Sequence, residues 1–546
     1  MATVETQVPR ALSATTLCEA FQITCSERPD QTAVRAVGGA GELTFAQLQA
    51  RVRRIAAGLA GLGAGRGDTV ALMMLNRPEF HACDLGALHA GAVPFSIYNT
   101  SAPEQIAYLF ENAGNQVVIT ERMFLPAIRG AGFDGHVVLI DGGGDDGATS
   151  LEELEAGGDD GFDVEGAWRA VQPDDLLTLI YTSGTTGPPK GVQLTHENLM
   201  SMMRGYCAVV GTHAGGRIAS FLPSAHIADR WASHYQSLCV EGFTVTSVPD
   251  PRAVIAALPE VRPTVWGAVP RVWEKLKAAL EAQGVGDPAA LPNDARAAIL
   301  AKLGLDAVEL CVVGAAPTPV EVLEFFDALG LRILEVWGMS ETSALSTINP
   351  PDAPRFGTCG RALPGVELRI ADDGELLVRG DHIMAGYRGE PEKTREAFTD
   401  GGWLMTGDVG EIDADGYLRI VDRKKELIIN AAGKNMSPAN IESRLKAAHP
   451  LIGQACVIGD GRPYNVALLV PDPDVLAGRD LNDIHEDIAA AVAEANGHLS
   501  RVEQVKRYVV LDREWLPGGD ELTPTMKLKR KPIAPKYAAE IEALYA

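Results

Sequence analysis

Short apolar runs recur along this chain, separated by stretches of helical spacing, and they limit its architecture more than any other feature. They fall at Thr69 to Met74, Gln116 to Thr120, Val137 to Asp141, Leu176 to Tyr181, Phe243 to Val248, Thr264 to Val269, Glu309 to Val313 and Arg332 to Val336. Strands of this kind, separated by helices, predict parallel sheets covered on both faces. Thr44 with Gln47 reads as a capping box ahead of Phe45, Leu48, Val52, Ile55 and Leu59 at helical spacing. From about Val366 the pattern changes to short strands of alternating polarity, Val366 to Ile370 and Glu375 to Arg379, which predict a small β subunit. The chain is therefore expected to be α/β, with a large N-terminal domain of parallel αβ sheets plus that β subunit, followed by a smaller αβ C-terminal domain. Its 546 residues are enough for several such units.

Bulk properties exclude several functions. Lys plus Arg number 48 against 72 Asp plus Glu, and the resulting −24 argues against a nucleic-acid partner. The eight cysteines are scattered without a Cys-x-x-Cys pair, and the eleven histidines show no ligand spacing. Buried reduced thiols and a cytoplasmic protein are the expectation. Met1 to Cys25 lacks a basic-then-apolar leader pattern, and no apolar run approaches membrane-spanning length.

The chemistry begins at Tyr181-Thr182-Ser183-Gly184-Thr185-Thr186-Gly187-Pro188-Pro189-Lys190-Gly191, directly after a strand. Glycines let backbone N–H groups approach an anion, hydroxyls add donors, and Lys190 adds a point charge. The loop suits a polyphosphate. It is not a Walker loop: Pro188 and Pro189 precede the lysine, Val192-Gln193-Leu194 continue extended, and a helix begins only after Thr195 as N-cap. A hairpin-like loop is predicted instead. Gly142-x-Gly144-x-x-Gly147 nominally matches a dinucleotide fingerprint, but Asp145 and Asp146 inside it would repel a pyrophosphate, so it reads as a surface turn.

Further motifs follow in order: Gly314-Ala315-Ala316-Pro317, Glu335-Val336-Trp337-Gly338-Met339-Ser340-Glu341-Thr342, Trp403 to Asp408, Val421-Asp422-Arg423-Lys424-Lys425, and Leu522-Thr523-Pro524-Thr525-Met526-Lys527. With the phosphate loop they resemble the acyl-adenylate-forming superfamily, which comprises acyl-CoA synthetases, peptide-synthetase adenylation domains and firefly-type luciferases. Phe221 to His226, Trp266 to Glu274 and Gly459 to Tyr464 look like its long-chain fatty-acid–CoA ligase branch.

The resemblance implies roles for particular residues. Thr182, Ser183, Gly184, Thr185, Thr186, Gly187, Lys190 and Ser340 would bind ATP phosphates. Ala315, Ala316, Trp337 and Gly338 would hold adenine, and Asp408 and Arg423 the ribose. Glu341, with Thr185, would hold Mg²⁺, a hard cation for oxygen ligands. Lys527 would be the catalytic lysine, with Lys529 the weaker claimant; Met526 stands where the family usually has glycine. His226 would sit at the acyl-pocket mouth, beside Phe221 to His226, Trp266 to Glu274 and Gly338. Gly433 would pass the pantetheine arm of CoA. Lys425 would be the hinge between residues 1–422 and a mobile C-terminal domain, residues 423–546.

The implied reaction activates a fatty acid with ATP to acyl-AMP, then transfers the acyl group to CoA. A fatty acyl-AMP ligase loading a separate carrier protein shares the first half. A noncatalytic acyl- or nucleotide-binding module is the rival of another class. Fatty acid, ATP and CoA are the implied partners, with room for peripheral membrane contact. Chain length and oligomeric state are not set by the sequence.

Overall fold

The computed structural model describes residues 8–143, 147–158, 161–182, 188–431, 434–476, 478–523 and 526–546. The largest sheet has eight strands in the spatial order Gly386–Tyr387, Lys190–Thr195, Leu176–Thr182, Val93–Ser96, Thr69–Met73, Val117–Thr120, His136–Leu139 and Thr149–Ser150. From Leu176–Thr182 to Thr149–Ser150 the pairs are parallel, and the two at the other edge are antiparallel. Alternation explains why its strands read as unbroken apolar runs. Val70 and Leu72 enter one core with Leu48, Val52 and Ile55 of helix Phe45–Gly61, while Ala71 and Met73 enter another with Ile106 and Leu109 of helix Pro103–Ala113. The capping box of Thr44 and Gln47 starts the first of these helices.

Two more sheets complete the large region's αβ part. One orders Arg217–Ser220, Thr244–Ser247, Thr32–Ala36 and Leu43–Thr44; the other orders Val265–Ala268, Leu310–Val313, Ile333–Trp337, Thr347–Ile348 and Arg361–Ala362. The predicted small β subunit is an antiparallel sheet of Glu367–Ile370, Glu375–Arg379, Leu404–Ile412 and Leu418–Arg423. Beyond it a three-stranded sheet, Ile452–Ile458, Asn465–Pro471 and Val505–Val510, packs with helices Pro438–Ala448 and His485–Gly497 around its own core. The architecture is the expected α/β with a separate αβ unit at the C-terminus.

Two elements depart from the sequence reading. Val93–Ser96 is a central strand of the large sheet although Pro94 lies inside it, and Thr178 Oγ1 donates to the Pro94 carbonyl at 2.8 Å. Proline usually marks an edge strand, so the run gave no strand signal. Arg230–Val240 is a π-helix, eleven residues of a form normally confined to one turn. The Gly142 to Gly147 turn leads into strand Thr149–Ser150 rather than a phosphate-binding helix; residues 144–146 within it lie outside the described residues. Among the described residues no helix is long and apolar enough to cross a membrane.

Candidate active site

The phosphate-loop segment is framed by an antiparallel pair in which Thr182 faces Lys190. Ser183, Gly184, Thr185, Thr186 and Gly187, between them, lie outside the described residues. The helix that follows starts at His196, with Thr195 and Asn198 as a capping box. Lys190 Nζ stands 4.4 Å from the ring centroid of Tyr387, on the neighbouring edge strand. The Tyr387 hydroxyl donates to Glu341 Oε1 at 2.9 Å. One aromatic ring thus ties the phosphate-loop lysine to the proposed metal carboxylate, a link that sequence reading missed.

Glu341 sits in a tight turn after strand Ile333–Trp337. A Cβ at Gly338 would lie 2.0 Å from the Ala344 carbonyl oxygen, so only glycine fits that crossing. Ser343 (φ 54°) and Ala344 (φ 89°) hold left-handed backbone without being glycine. Such residues persist only where surroundings over-determine them. Here Met384 N–H donates to the Glu341 carbonyl at 2.9 Å, Ser343 Oγ donates to the His382 carbonyl at 2.8 Å, and Ser346 Oγ lies 2.9 Å from His382 Nε2. His382 is 1 % exposed and was likewise missed. After strand Leu310–Val313, Ala315 and Ala316 are exposed, and Ala315 is itself left-handed at φ 69°.

Asp408 brings the small sheet to the site. It lies 4 % exposed, directly opposite Arg423 on the adjacent strand. Its Oδ1 pairs with Arg423 Nε at 2.7 Å, and its Oδ2 accepts from Trp337 Nε1 at 2.9 Å. Burial pushes this carboxyl above its usual range, while Arg423, Trp337 and Lys527 oppose the shift.

Lys527 reaches this cleft from the C-terminal segment. Its N–H donates to Thr523 Oγ1 at 3.0 Å and its carbonyl accepts from Thr523 N–H at 2.8 Å. Met526 just before it is left-handed at φ 65°, which explains a preference for glycine there. The Lys527 side chain is accessible but walled by protein. Burial, and then the Arg423 charge, hold its pKa below the ordinary lysine value, against Asp408, Glu426 and Glu341. Lys529 turns away and donates to the Gly519 carbonyl at 2.8 Å. His226 is depressed to about 3 by burial and by Lys527, so it is neutral. Its Nδ1 accepts from Ala228 N–H at 3.1 Å, which assigns the proton to Nε2.

Charge pairs hold the C-terminal unit in this position. Arg271 pairs with Asp472, Arg444 with Glu321, and Lys275 Nζ with Asp474 at 2.9 Å. At the junction Lys424 Nζ reaches Asp373 at 2.5 Å and Glu375 at 2.8 Å, followed by exposed Lys425. Gly433 lies outside the described residues.

Within the segment Trp266 to Glu274, expected beside the acyl pocket, two side chains serve the core instead: Trp266 and Trp273 are fully buried, packed on each other at 4.5 Å between ring centroids, with Phe326 at 5.1 Å from Trp273. Strand alternation puts Trp266 on the same face as Ala268, toward that core, and Gly267 on the other.

Comparison with known proteins accords with this arrangement. A Mycobacterium tuberculosis protein, FadD11, whose name assigns it provisionally to the fatty-acid–CoA ligases, is 51% identical over 453 residues, 73% of this chain and 79% of that one. The long-chain-fatty-acid–CoA ligase FadD15 of Mycobacterium bovis is 36% identical over 92% of both chains. The ATP-bound structure of MatB from Rhodopseudomonas palustris superposes with a TM-score of 0.75 at 26% identity, covering 95% of this chain and 99% of that one. The AMP-binding enzyme family model matches residues 21–388, and the AMP-binding enzyme C-terminal domain model matches residues 425–546. With these matches in their expected order, the chain belongs to the AMP-binding enzymes, on their fatty-acid–CoA ligase branch.

Proposed function

We propose that the protein activates a long-chain fatty acid with ATP and transfers the acyl group to CoA. The observation that carries this reading is the convergence of Lys527, from the C-terminal segment, on a cleft holding Asp408, Glu341 and His226. In the first half-reaction a carboxylate oxygen attacks the α-phosphorus, the bond to the bridging oxygen breaks, and pyrophosphate leaves with the electron pair. Lys527, a cation walled by protein, stabilises charge growing on the α-phosphate. Lys190, with Thr182, Ser183, Gly184, Thr185, Thr186, Gly187 and Ser340, holds the β- and γ-phosphates. Ala315, Ala316, Trp337 and Gly338 frame the adenine, and Asp408 and Arg423 take the ribose. Neutral His226, with its proton on Nε2, offers a hydrogen bond at the acyl-pocket mouth without adding charge.

Glu341 fits a magnesium ligand: Tyr387 occupies one lone pair of its carboxylate, leaving others for a hard cation. Among the described residues no three His, Cys, Asp or Glu side chains gather as a closed metal site, so such an ion would be shared between Glu341, Thr185 and nucleotide phosphates. It would supply countercharge there.

In the second half-reaction the CoA sulfur attacks the acyl carbonyl and AMP leaves. We assign residues 1–422 and 423–546 to two domains, with Lys425 as the hinge that withdraws Lys527 and Gly433 beside the incoming pantetheine.

ATP–pyrophosphate exchange dependent on fatty acid, followed by acyl-CoA formation across a panel from short to very long chains, tests the reading. Exchange without CoA-thioester formation would transfer the assignment to a carrier-protein-loading fatty acyl-AMP ligase. No exchange with any acid would remove the enzymatic reading altogether.

A further inference from the structure

Asp408 has four acceptor positions on its two oxygens and receives one donor on each. Arg423 Nε supplies the first at 2.7 Å and Trp337 Nε1 the second at 2.9 Å. The two donors differ in origin. Arg423 is 46 % exposed and ends the last strand before the junction with the C-terminal unit. Trp337 is 8 % exposed and packs with Leu376, Val378 and Leu418, the core of the small sheet that carries Asp408. Its indole therefore bridges the adenine-side strand Ile333–Trp337 and the ribose-side strand Leu404–Ile412.

We propose that Trp337 is a positioning residue for the nucleotide sugar, its indole N–H fixing the Asp408 carboxylate so that the remaining lone pairs meet the ribose hydroxyls. This rests on the proposed ATP site and deepens it, because the ring alone would explain only contact with the base. A phenyl ring offers no donor, and a tyrosine hydroxyl lies at a different place from an indole N–H. Asp408 would then keep one buried oxygen unpaired and turn toward Arg423. The ribose would lose a fixed acceptor pair while the stacking face survived. Trp337, within the N-terminal region, would hold the carboxylate whichever way the C-terminal unit is turned.

The test compares ATP with 2′,3′-dideoxy-ATP in acyl-AMP formation, read as KM and kcat for each nucleotide. The variants are Trp337→Phe and Trp337 replaced by β-(3-benzothienyl)alanine, which keeps the ring shape with sulfur in place of N–H. If Trp337 acts through Asp408, both replacements raise KM for ATP about tenfold, the size of one hydrogen bond to a charged group. For the benzothienyl replacement, which keeps ring and packing, KM for the dideoxy nucleotide should stay within about twofold, because the hydroxyls that Asp408 would meet are absent; Trp337→Phe should raise it further through lost ring contact, but by less than it raises KM for ATP. Equal losses with both nucleotides would reduce Trp337 to a stacking or packing residue and overturn the inference. The isosteric replacement keeps this decisive if the phenylalanine variant folds poorly. Should wild type itself not distinguish the two nucleotides, Asp408 is not the ribose acceptor, and the underlying site assignment fails together with the inference. Normal discrimination by wild type with equal variant losses fails the inference alone.

Discussion

Replacing Asp472 by asparagine should change the balance between the two half-reactions without touching any group in the cleft. Asp472 belongs to the C-terminal unit, and its carboxylate, 6 % exposed, pairs with Arg271 and lies 3.8 Å from Lys275 Nζ, both on helix Pro270–Ala282 of the N-terminal region. Asparagine keeps an oxygen for the local cap from Asp474 N–H, now at 3.0 Å, so the loop itself should survive. What disappears is the charge attraction across the junction. Exposed pairs contribute about 0.2–1 kcal/mol, and breaking fully buried ones costs about 3–5 kcal/mol. With Arg271 only 25 % exposed, an intermediate figure of about 1–2 kcal/mol applies, or roughly 5- to 30-fold in an equilibrium between two orientations.

The useful readout is a ratio. If acyl-AMP formation reports one orientation and CoA transfer from supplied acyl-AMP the other, their ratio shifts by that full factor whatever the starting balance. Asp472→Asn should therefore raise the transfer-to-adenylation ratio about 5- to 30-fold. Salt near 1 M, where screening acts within about 3 Å, should move wild type toward the variant. An unchanged ratio, or a parallel fall of both half-reactions, would show that this contact does not distinguish orientations.

Three further outcomes are expected. Lys527→Ala should cut acyl-AMP formation by roughly a hundredfold or more while retaining CoA transfer from supplied acyl-AMP; equal loss of both, or a comparable effect of Lys529→Ala alone, would move the role elsewhere. Glu335, buried within strand Ile333–Trp337 and pushed up to about 8 by burial, which outweighs the hydrogen bond from the Gly357 N–H, keeps its proton in the folded chain between about 4.5 and about 8, where the unfolded chain has released it. Its contribution to stability is thus full below about 4.5 and falls by about 1.4 kcal/mol per pH unit across that window, so Glu335→Gln should match wild type near pH 4.5 and exceed its melting temperature above pH 8. Met526→Gly should preserve folding and adenylation, whereas Met526→Val, forcing a β-branched residue into left-handed backbone, should cost about 1–2 kcal/mol in denaturant unfolding.

What the sequence made legible was local. The capping box at Thr44, the N-cap at Thr195, the buried strands, and the start of the strand at Lys190 each lie within a few residues of their own signals. What it hid was pairing across distance. Tyr387 meets Glu341 from 46 positions away, Trp337 meets Asp408 from 71, and no periodicity announces either. The direction of Trp266 was hidden for a related reason: its motif says nothing of which way the ring points, and the alternation of a four-residue strand decides it. Val93–Ser96 stayed hidden because a proline inside a short run weighs against a strand, while tertiary position in the middle of the sheet outweighs it.

Backbone strain was equally invisible, and its distribution bears on the site more directly than composition does. Among the described non-glycine residues, positive φ occurs at Arg262, Ala315, Ser343, Ala344 and Met526. Arg262 ends helix Val254–Val261, an ordinary place for a left-handed residue. The other four are Ala315 itself, Ser343 and Ala344 just after Glu341, and Met526 immediately before Lys527. Alanine, serine and methionine have no preference for such backbone, so each costs stability unless neighbours enforce it. Around Glu341 those neighbours can be named, in Met384 and His382, and before Lys527 the enforcing contact is the reciprocal pair with Thr523. The three strained segments are those that carry Ala315, Glu341 and Lys527, which the proposed function assigns to one site. Relaxing any of them would re-aim a side chain without removing it, so β-branched substitutions that disfavour left-handed backbone, Ser343→Val or Met526→Val, should alter half-reaction rates with every proposed functional group still present.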